Sequence, residues 1–578
     1  MESLDGTSYD VLISGTGIQQ SLLALALSRS GKNVLHVDKD DTYGGPEAAL
    51  SLDEAEQWVE KLNSVKQTRF SNASITKSPE GEQKLSLFKR YNLSLGPTLV
   101  YTRSGLLPIL VSSKTNDQLE FMAVGGWFVF EKQEDGARVV RVPNGREDIF
   151  ADPSLTLKMK GQLMKFLRFV AAFEEKPETW QPHRDTPFAS FLSEQFVWKY
   201  RRRRLLNLPY HALLVTFVRS WGGLSEVVQV ACRACAVTGG IYVLGRGISS
   251  IEPAQSEEDD IEEIPRDTEK PDVSQDIHNM ITEGEGFVDT DPDALDELES
   301  GIKEQSLDDL LASMGYSVAG VEEEKPASAA ETPVEKQSPA VSSEKKSLYT
   351  VQLSNGEKVS AQFIVGCSDD LPASPPSATI GTKVAGAQPE AVSRSVTIIS
   401  SPMQHLFVTV AEGGVSPAGA VVVFPAGSLS SAAHTPVQIM VHSSDTGECP
   451  QGQCIAYAST AVTGQEGQEL LAEAVKSLLA AQDGESQALW SLSYEQHAEA
   501  TAPSTETSSS ILKFQDPPLD YVFDDAIIEN VQAAWQRILP EADDFMVFGE
   551  RDADDQEAED DEECDMILEV QEGRSYPT

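Results

Sequence analysis

GTGIQQSLLALALSRSGKNVLHVDKDDTYGG, Gly15 to Gly45, decides the fold. The run before it, YDVLISG, is a short apolar strand that stops at glycine. LLALALSRSG reads as a helix that is apolar on most faces and ends at Gly31, and NVLHVD as a second strand closing on Asp38. A Gly-rich turn that opens a βαβ unit points to a nucleotide-binding-like fold. The dinucleotide fingerprint needs one glycine for the tight turn, a second for close approach of the pyrophosphate, and a third for helix–strand packing. Gly15 and Gly17 fill the first two places, and Asp38 stands where an acid would hold the ribose. The third place holds Gln20. With two glycines of three, the motif alone leaves cofactor binding open.

The chain has 578 residues, enough for several domains. It has no uninterrupted apolar run of the roughly 18 residues that a transmembrane helix requires. MESLDGTSYD is not read as a signal peptide, nor the terminal SYPT as a prenylation box. Six cysteines make no disulfide scaffold and are expected as reduced thiols in the cytosol. The net charge of −46 is concentrated: residues 251–346 hold 28 acidic and 7 basic residues, and residues 541–578 hold 16 acidic and 2 basic. Such segments bury too little apolar surface to offset their ordering entropy, so an acidic disordered insertion and tail are expected. The stretch LDDLLASMGY (307–316) is a candidate transient helix inside the first. Both segments read as solubilising spacers or as docking segments for a basic partner. Nucleic acid is disfavoured, because binding phosphate wants a basic face.

Residues 1–147 mix short strands and helices, as the first part of a large α/β domain. Residues 148–220 turn helical: LTLKMKGQLMKFLRFVAAFE runs nearly six turns, and TPFASFLSEQF follows with Thr186 as its N-cap. Residues 221–250 return to the first domain with the helix SEVVQVACRACAVTGG and the strand IYVLG. After the insertion, 347–540 supplies a hairpin at Asn355–Gly356 and the strands RSVTIIS, HLFVTVA, AVVVFP, VQIMVHSS and CIAYAST, then helices. The sheet is thus expected to be mixed and completed from distant parts of the chain.

YDVLISGTG, SRSGKNVLHVD, DDTYGG, RYNLSLGP, LMKFLRF and ACRACAVTGGIYVLG resemble the Rab GDP-dissociation inhibitor and Rab escort protein family. The resemblance covers about residues 8–170 and 220–250, and more loosely 347–465. It implies a large domain like that of flavin monooxygenases with a smaller helical domain, a flavoprotein fold used without a flavin, and so no cofactor. Its escort branch, component A of Rab geranylgeranyl transferase, presents new GDP-bound Rab GTPases to the transferase alpha/beta heterodimer. Length, the acidic insertion, SRSGKNVLHVD and CRACAVTGGIYVL favour that branch over the dissociation inhibitors, which recycle prenylated Rabs. A flavin-dependent oxidoreductase is the remaining alternative. The expected protein is an accessory subunit in the cytosol with transient membrane contact; the nucleus stays open.

The resemblance places Rab binding on Tyr43, Glu226 and Arg233. The last two stand seven apart on one helix, two turns, so both project from one face. It places transferase binding on Phe150, with a basic partner eleven residues later. That place is Gly161 here, so Lys160 beside it becomes the candidate. It implies a groove for the geranylgeranyl lipid of the bound Rab, lined by Leu163, Phe166 and Phe169; core packing is the plainer reading of each. RRRRLLNLPYHALLVTFVRSWGG fits the family poorly around 201–221, as a lineage deletion or a gene-model error would. Cys232-x-x-Cys235 lies within a helix without a second cysteine pair and reads as packed thiols. His36 reads as structural. No histidine spacing suggests a metal, and no G-x-S-x-G elbow or Walker loop suggests catalysis.

Overall fold

The computed structural model describes residues 3–64, 69–196 with eleven single or paired positions left out, 216–219, 223–253, 349–372, 377–381, 391–408, 416–429, 435–481, 486–499 and 509–548. One compact unit comprises 1–252 and 343–578; a second, 253–342, lies, apart from Pro253, outside the described residues. The transient helix at 307–316, the run Arg201–Arg204 and nearly all of the atypical stretch also fall outside them.

The opening βαβ unit forms as read. Strand β1 (Ser8–Ser14), helix α1 (Ile18–Arg29) and strand β2 (Val34–Val37) follow in order, with β1 and β2 parallel. Gly15 at φ +89° makes the turn that an L side chain resists. Every residue of α1 from Ile18 to Ser28 is buried, because α8 (Leu224–Val237) and α10 (Ala526–Ile538) cover it. A helix apolar all round needs such cover.

Around β1 the strand order is Ile241–Val243, β2, β1, Lys358–Gly366, Tyr349–Leu353, Ile248–Pro253. The first four run parallel. Strand Ile511–Phe514 also pairs with Lys358–Gly366 in parallel. The hairpin turns at Gly356, φ +89°. The sheet is therefore built from four separate stretches of sequence.

The second sheet has the order Phe70–Lys77, Ala488–His497, Ala391–Ile399, Cys454–Thr460, Val437–Ser443, Gly419–Phe424, Phe121–Gln133, Thr216–Arg219, Leu99–Tyr101. Its pairs are antiparallel except Gly419–Phe424 against Phe121–Gln133. One face packs on α2 (Leu52–Ser64), the other on α9 (Gly464–Ala480).

Helices α4 (Arg146–Ala151), α5 (Leu157–Ala171), α6 (Pro177–Trp180) and α7 (Phe188–Gln195) have a small core of their own in Phe166, Phe191, Leu192 and Phe196. Several local expectations shift. Helix α5 is 15 residues, not nearly six turns, because Thr156 caps it by accepting from Met159 N at 3.4 Å. Thr186 Oγ1 donates backward to His183 O, 2.6 Å, rather than facing the helix that follows. HLFVTVA does not begin as a strand: Gln404–Leu406 form a 3₁₀ turn entered through Met403 at φ +43°. At the edges of the helical and acidic stretches, 216–219 and 248–253 are strands, and Phe548 N bonds Ser112 O. No helix among the described residues is long and apolar enough to cross a membrane.

Candidate functional site

The turn that opens α1 carries the anion-binding geometry of a helix N-terminus, but the chain fills it with its own side chains. Glu47 follows the Gly44–Gly45 pair and is only 7% exposed. Its carboxylate accepts from the Ile18 backbone N–H at the first residue of α1, and its Oε2 lies 3.5 Å from where a Cβ on Gly17 would stand. A negative group there complements the helix dipole, as a phosphate would. Burial nonetheless pushes the Glu47 carboxyl up to about 7, against the pull of Arg69.

Asp38 is spent as well. Its Oδ2 accepts from Thr16 N at 2.7 Å and Thr16 Oγ1 at 2.6 Å, and its Oδ1 from Asp40 N at 2.8 Å. Burial raises its carboxyl to about 6, with the Asp370 charge adding to the rise. Gln20, at the third-glycine place, does not wedge α1 off the sheet. Its amide donates to Cys367 Sγ at 3.0 Å and Asp370 Oδ2 at 3.2 Å, tying α1 to the loop after strand Lys358–Gly366. The Asp370 carboxylate sits so close over Gly15 that a Cβ there would collide with it. Arg69 answers part of this charge, at 3.0 Å from Asp516 Oδ1 and 3.5 Å from Asp369 Oδ2.

In front of the turn lies a cavity of about 370 Å³ whose lining carries six carboxylates and three cations. A pyrophosphate would enter a net negative field, with its helix terminus taken by Glu47 and its ribose acid by Thr16. These residues do not fit a dinucleotide. His36 belongs to the same internal network: burial lowers its pKa to about 4, and the neutral ring donates from Nε2 to Gly15 O at 2.6 Å.

The second group of candidate residues lies on the outer side of this unit. Buried positions of α8, among them Val227, Val228, Ala231, Ala234 and Cys235, face inward. That leaves Gln229, Arg233 and Val237 exposed and Glu226 half-buried on the outer face. Tyr43 is 36% exposed, its ring 5.9 Å from Tyr242. Tyr242 lies beside Cys232, the neighbour of Arg233 on α8. The residues read from DDTYGG and from α8 are thereby linked through one aromatic contact. Val237, exposed, extends this face and was missed in the sequence. An apolar residue one turn after an exposed arginine, just before a glycine stop, was the signal available. Cys232 and Cys235 are buried, and burial pushes Cys232 up to about 12, the state of inert packed thiols.

In the helical part, Phe150 is 50% exposed at the end of α4, and Lys160 Nζ donates to its carbonyl at 2.6 Å. Phe166 is fully buried, its ring 5.2 Å from Phe196; Phe169 is partly buried, 5.4 Å from Phe196 and 5.8 Å from Phe191. Leu163 is partly buried. Two of the three lipid-groove candidates, Phe166 and Phe169, therefore lie in or against one aromatic cluster. Among the described residues no group of His, Cys, Asp or Glu is placed to hold a metal ion.

Residues 4–194 match the family model described as GDP dissociation inhibitor. Over 271 residues the chain is 31% identical to the Rab proteins geranylgeranyltransferase component A of Saccharomyces cerevisiae, covering 42% of this chain and 44% of that protein. It is 28% identical over 317 residues to Rab escort protein 1 of Arabidopsis thaliana, 43% of this chain and 56% of that one. The yeast Rab GDP-dissociation inhibitor matches over a shorter stretch, 31% identical over 174 residues, 30% of this chain and 35% of that protein. The chain spans about half the length of the curated relatives it matches. Among solved structures, a Rab GDI from Plasmodium falciparum has the same fold at TM-score 0.53 and 16% identity, over 93% of this chain and all of that one.

Proposed function

We propose, from the relation of residues 4–194 to the GDP dissociation inhibitor family and of the wider match to component A of Rab geranylgeranyl transferase, that this chain works as a Rab escort protein. It binds newly made, GDP-bound Rab GTPases and presents them to the transferase alpha/beta heterodimer as a non-catalytic accessory subunit. It then shelters the geranylgeranyl chain and delivers the prenylated Rab to a membrane.

The observation that carries this reading is the outer face of α8 beside Tyr43. Glu226 and Arg233 offer an acid and a guanidinium from one face, with an aromatic and the exposed Val237 near them. That mixture suits a GTPase switch surface, where an aromatic anchor and oriented hydrogen bonds dominate binding. Phe150 is the proposed transferase anchor, and the cluster around Phe166 the proposed lipid shelter, opened by displacing its rings. Burial of a prenyl chain is favourable by roughly 0.8 kcal/mol per CH₂, so a modest opening suffices. The inhibitor reading has the family match of residues 4–194 and the yeast inhibitor match in its favour, but the component A relatives match over more of the chain.

The test is Arg233→Ala, read by Rab affinity and melting temperature on one preparation. A charged interface hydrogen bond is worth about 1.5–3 kcal/mol, or roughly 10- to 150-fold in affinity. Loss of that size with unchanged melting supports the platform; unchanged affinity with lowered melting removes it.

A further inference from the structure

We propose that Lys160 is a positioning residue, which pins the end of α4 so that the Phe150 ring is presented, already ordered, to the transferase. This rests on the reading of Phe150 as the transferase anchor.

Helix α4 has six residues, and the last carbonyls of any helix have no partner within it. Lys160 reaches across from α5 and donates its ammonium to one of them, Phe150 O, at 2.6 Å. A cation at that end complements both the free carbonyl and the helix dipole. The donor is itself held: Lys160 N bonds Thr156 O at 2.9 Å, inside the turn that Thr156 caps. A second cation acts on the ring. The Arg146 guanidinium, one helical turn back on α4, lies 6.0 Å from the Phe150 centroid. One charge thus holds the backbone of Phe150 and another its side chain, while half of the residue stays exposed.

Gly161 shows that this is a placement rather than a crowding effect. Nothing lies within 4 Å of where its Cβ would stand, so a basic side chain there would project into open space. The chain places its cation one residue earlier, where it folds back onto α4. An anchor ordered in advance loses less backbone and rotamer freedom when its partner arrives, which is where preorganisation raises affinity.

A double-mutant cycle tests this, with affinity for the purified transferase heterodimer as the readout and melting temperature measured on every variant. Phe150→Ala is expected to weaken binding strongly. Lys160→Met should weaken it roughly three- to tenfold, and Lys160→Arg, which can still donate to a carbonyl, should restore most of it. On the Phe150→Ala background Lys160→Met should cost nothing further, because a residue that acts only through Phe150 is silent once the ring is gone. Additive losses would overturn the proposal and make Lys160 a direct contact. A Lys160→Met loss matched by a fall in melting temperature would overturn it in favour of a purely structural cap. Phe150→Ala without effect would overturn the anchor reading and this proposal with it.

Discussion

Glu47→Gln separates a carboxylate kept for its shape from one kept for its charge. Burial raises the Glu47 carboxyl from 4.5 to about 7. That difference corresponds to about 3 kcal/mol between the protonated and ionised forms in the folded protein. Because the folded value is the higher one, this stability is fully present below about pH 4.5. It is lost as pH rises towards 7 and stays lost above that. Glutamine copies the neutral acid at every pH. The variant should therefore match the parent near pH 4.5 and exceed it by up to about 3 kcal/mol at pH 8. With about 2 cal/mol/K of unfolding entropy per residue over the 376 described residues, that is a melting temperature about 4 °C higher at pH 8. Paired thermal scans at pH 5 and pH 8, at one scan rate, read it directly. A variant less stable than the parent at both values would refute the reasoning: Glu47 would then be a needed anion, held by Arg69 and the α1 terminus.

Three further outcomes follow from the same geometry. Phe166→Ala should cost about 3–5 kcal/mol of stability, because its ring is fully buried between α5 and α7, and denaturant unfolding measures it. Asp38→Asn should weaken the turn, because the amide keeps only one of the two oxygens that accept from Thr16 N, Thr16 Oγ1 and Asp40 N, yet leave the protein without visible absorption after incubation with FAD; uptake of a dialysis-resistant yellow colour would contradict the fit argument. Lysine at position 233 should restore only part of the Rab affinity lost in Arg233→Ala, since it keeps the charge but not the planar fork; full rescue in a binding titration would mean that charge alone matters.

The opening unit was legible because each signal is local: an apolar strand, a positive-φ glycine, an all-apolar helix and a second strand lie within thirty residues. The outer face of α8 was legible for the same reason, since helical periodicity alone separates Arg233 from its buried neighbours. Glu47 was not, because its role depends on the Ile18 N–H and on Arg69, neither of which a sequence pattern places beside it. Asp370 lies over Gly15 only after a strand from residue 358 onward inserts beside β1. The bond from Lys160 to Phe150 O depends on the angle between two short helices, which periodicity does not encode. HLFVTVA read as a strand on composition, and the left-handed Met403 that turns it aside is a tertiary effect.

The most direct measurement of the central claim is a reconstitution with purified transferase heterodimer, geranylgeranyl donor and unprenylated Rab loaded with GDP. The account predicts that this chain binds the unprenylated Rab and that lipid transfer to Rab depends on its addition. Binding confined to prenylated Rab, with transfer unsupported, would contradict it and leave the dissociation-inhibitor reading in its place.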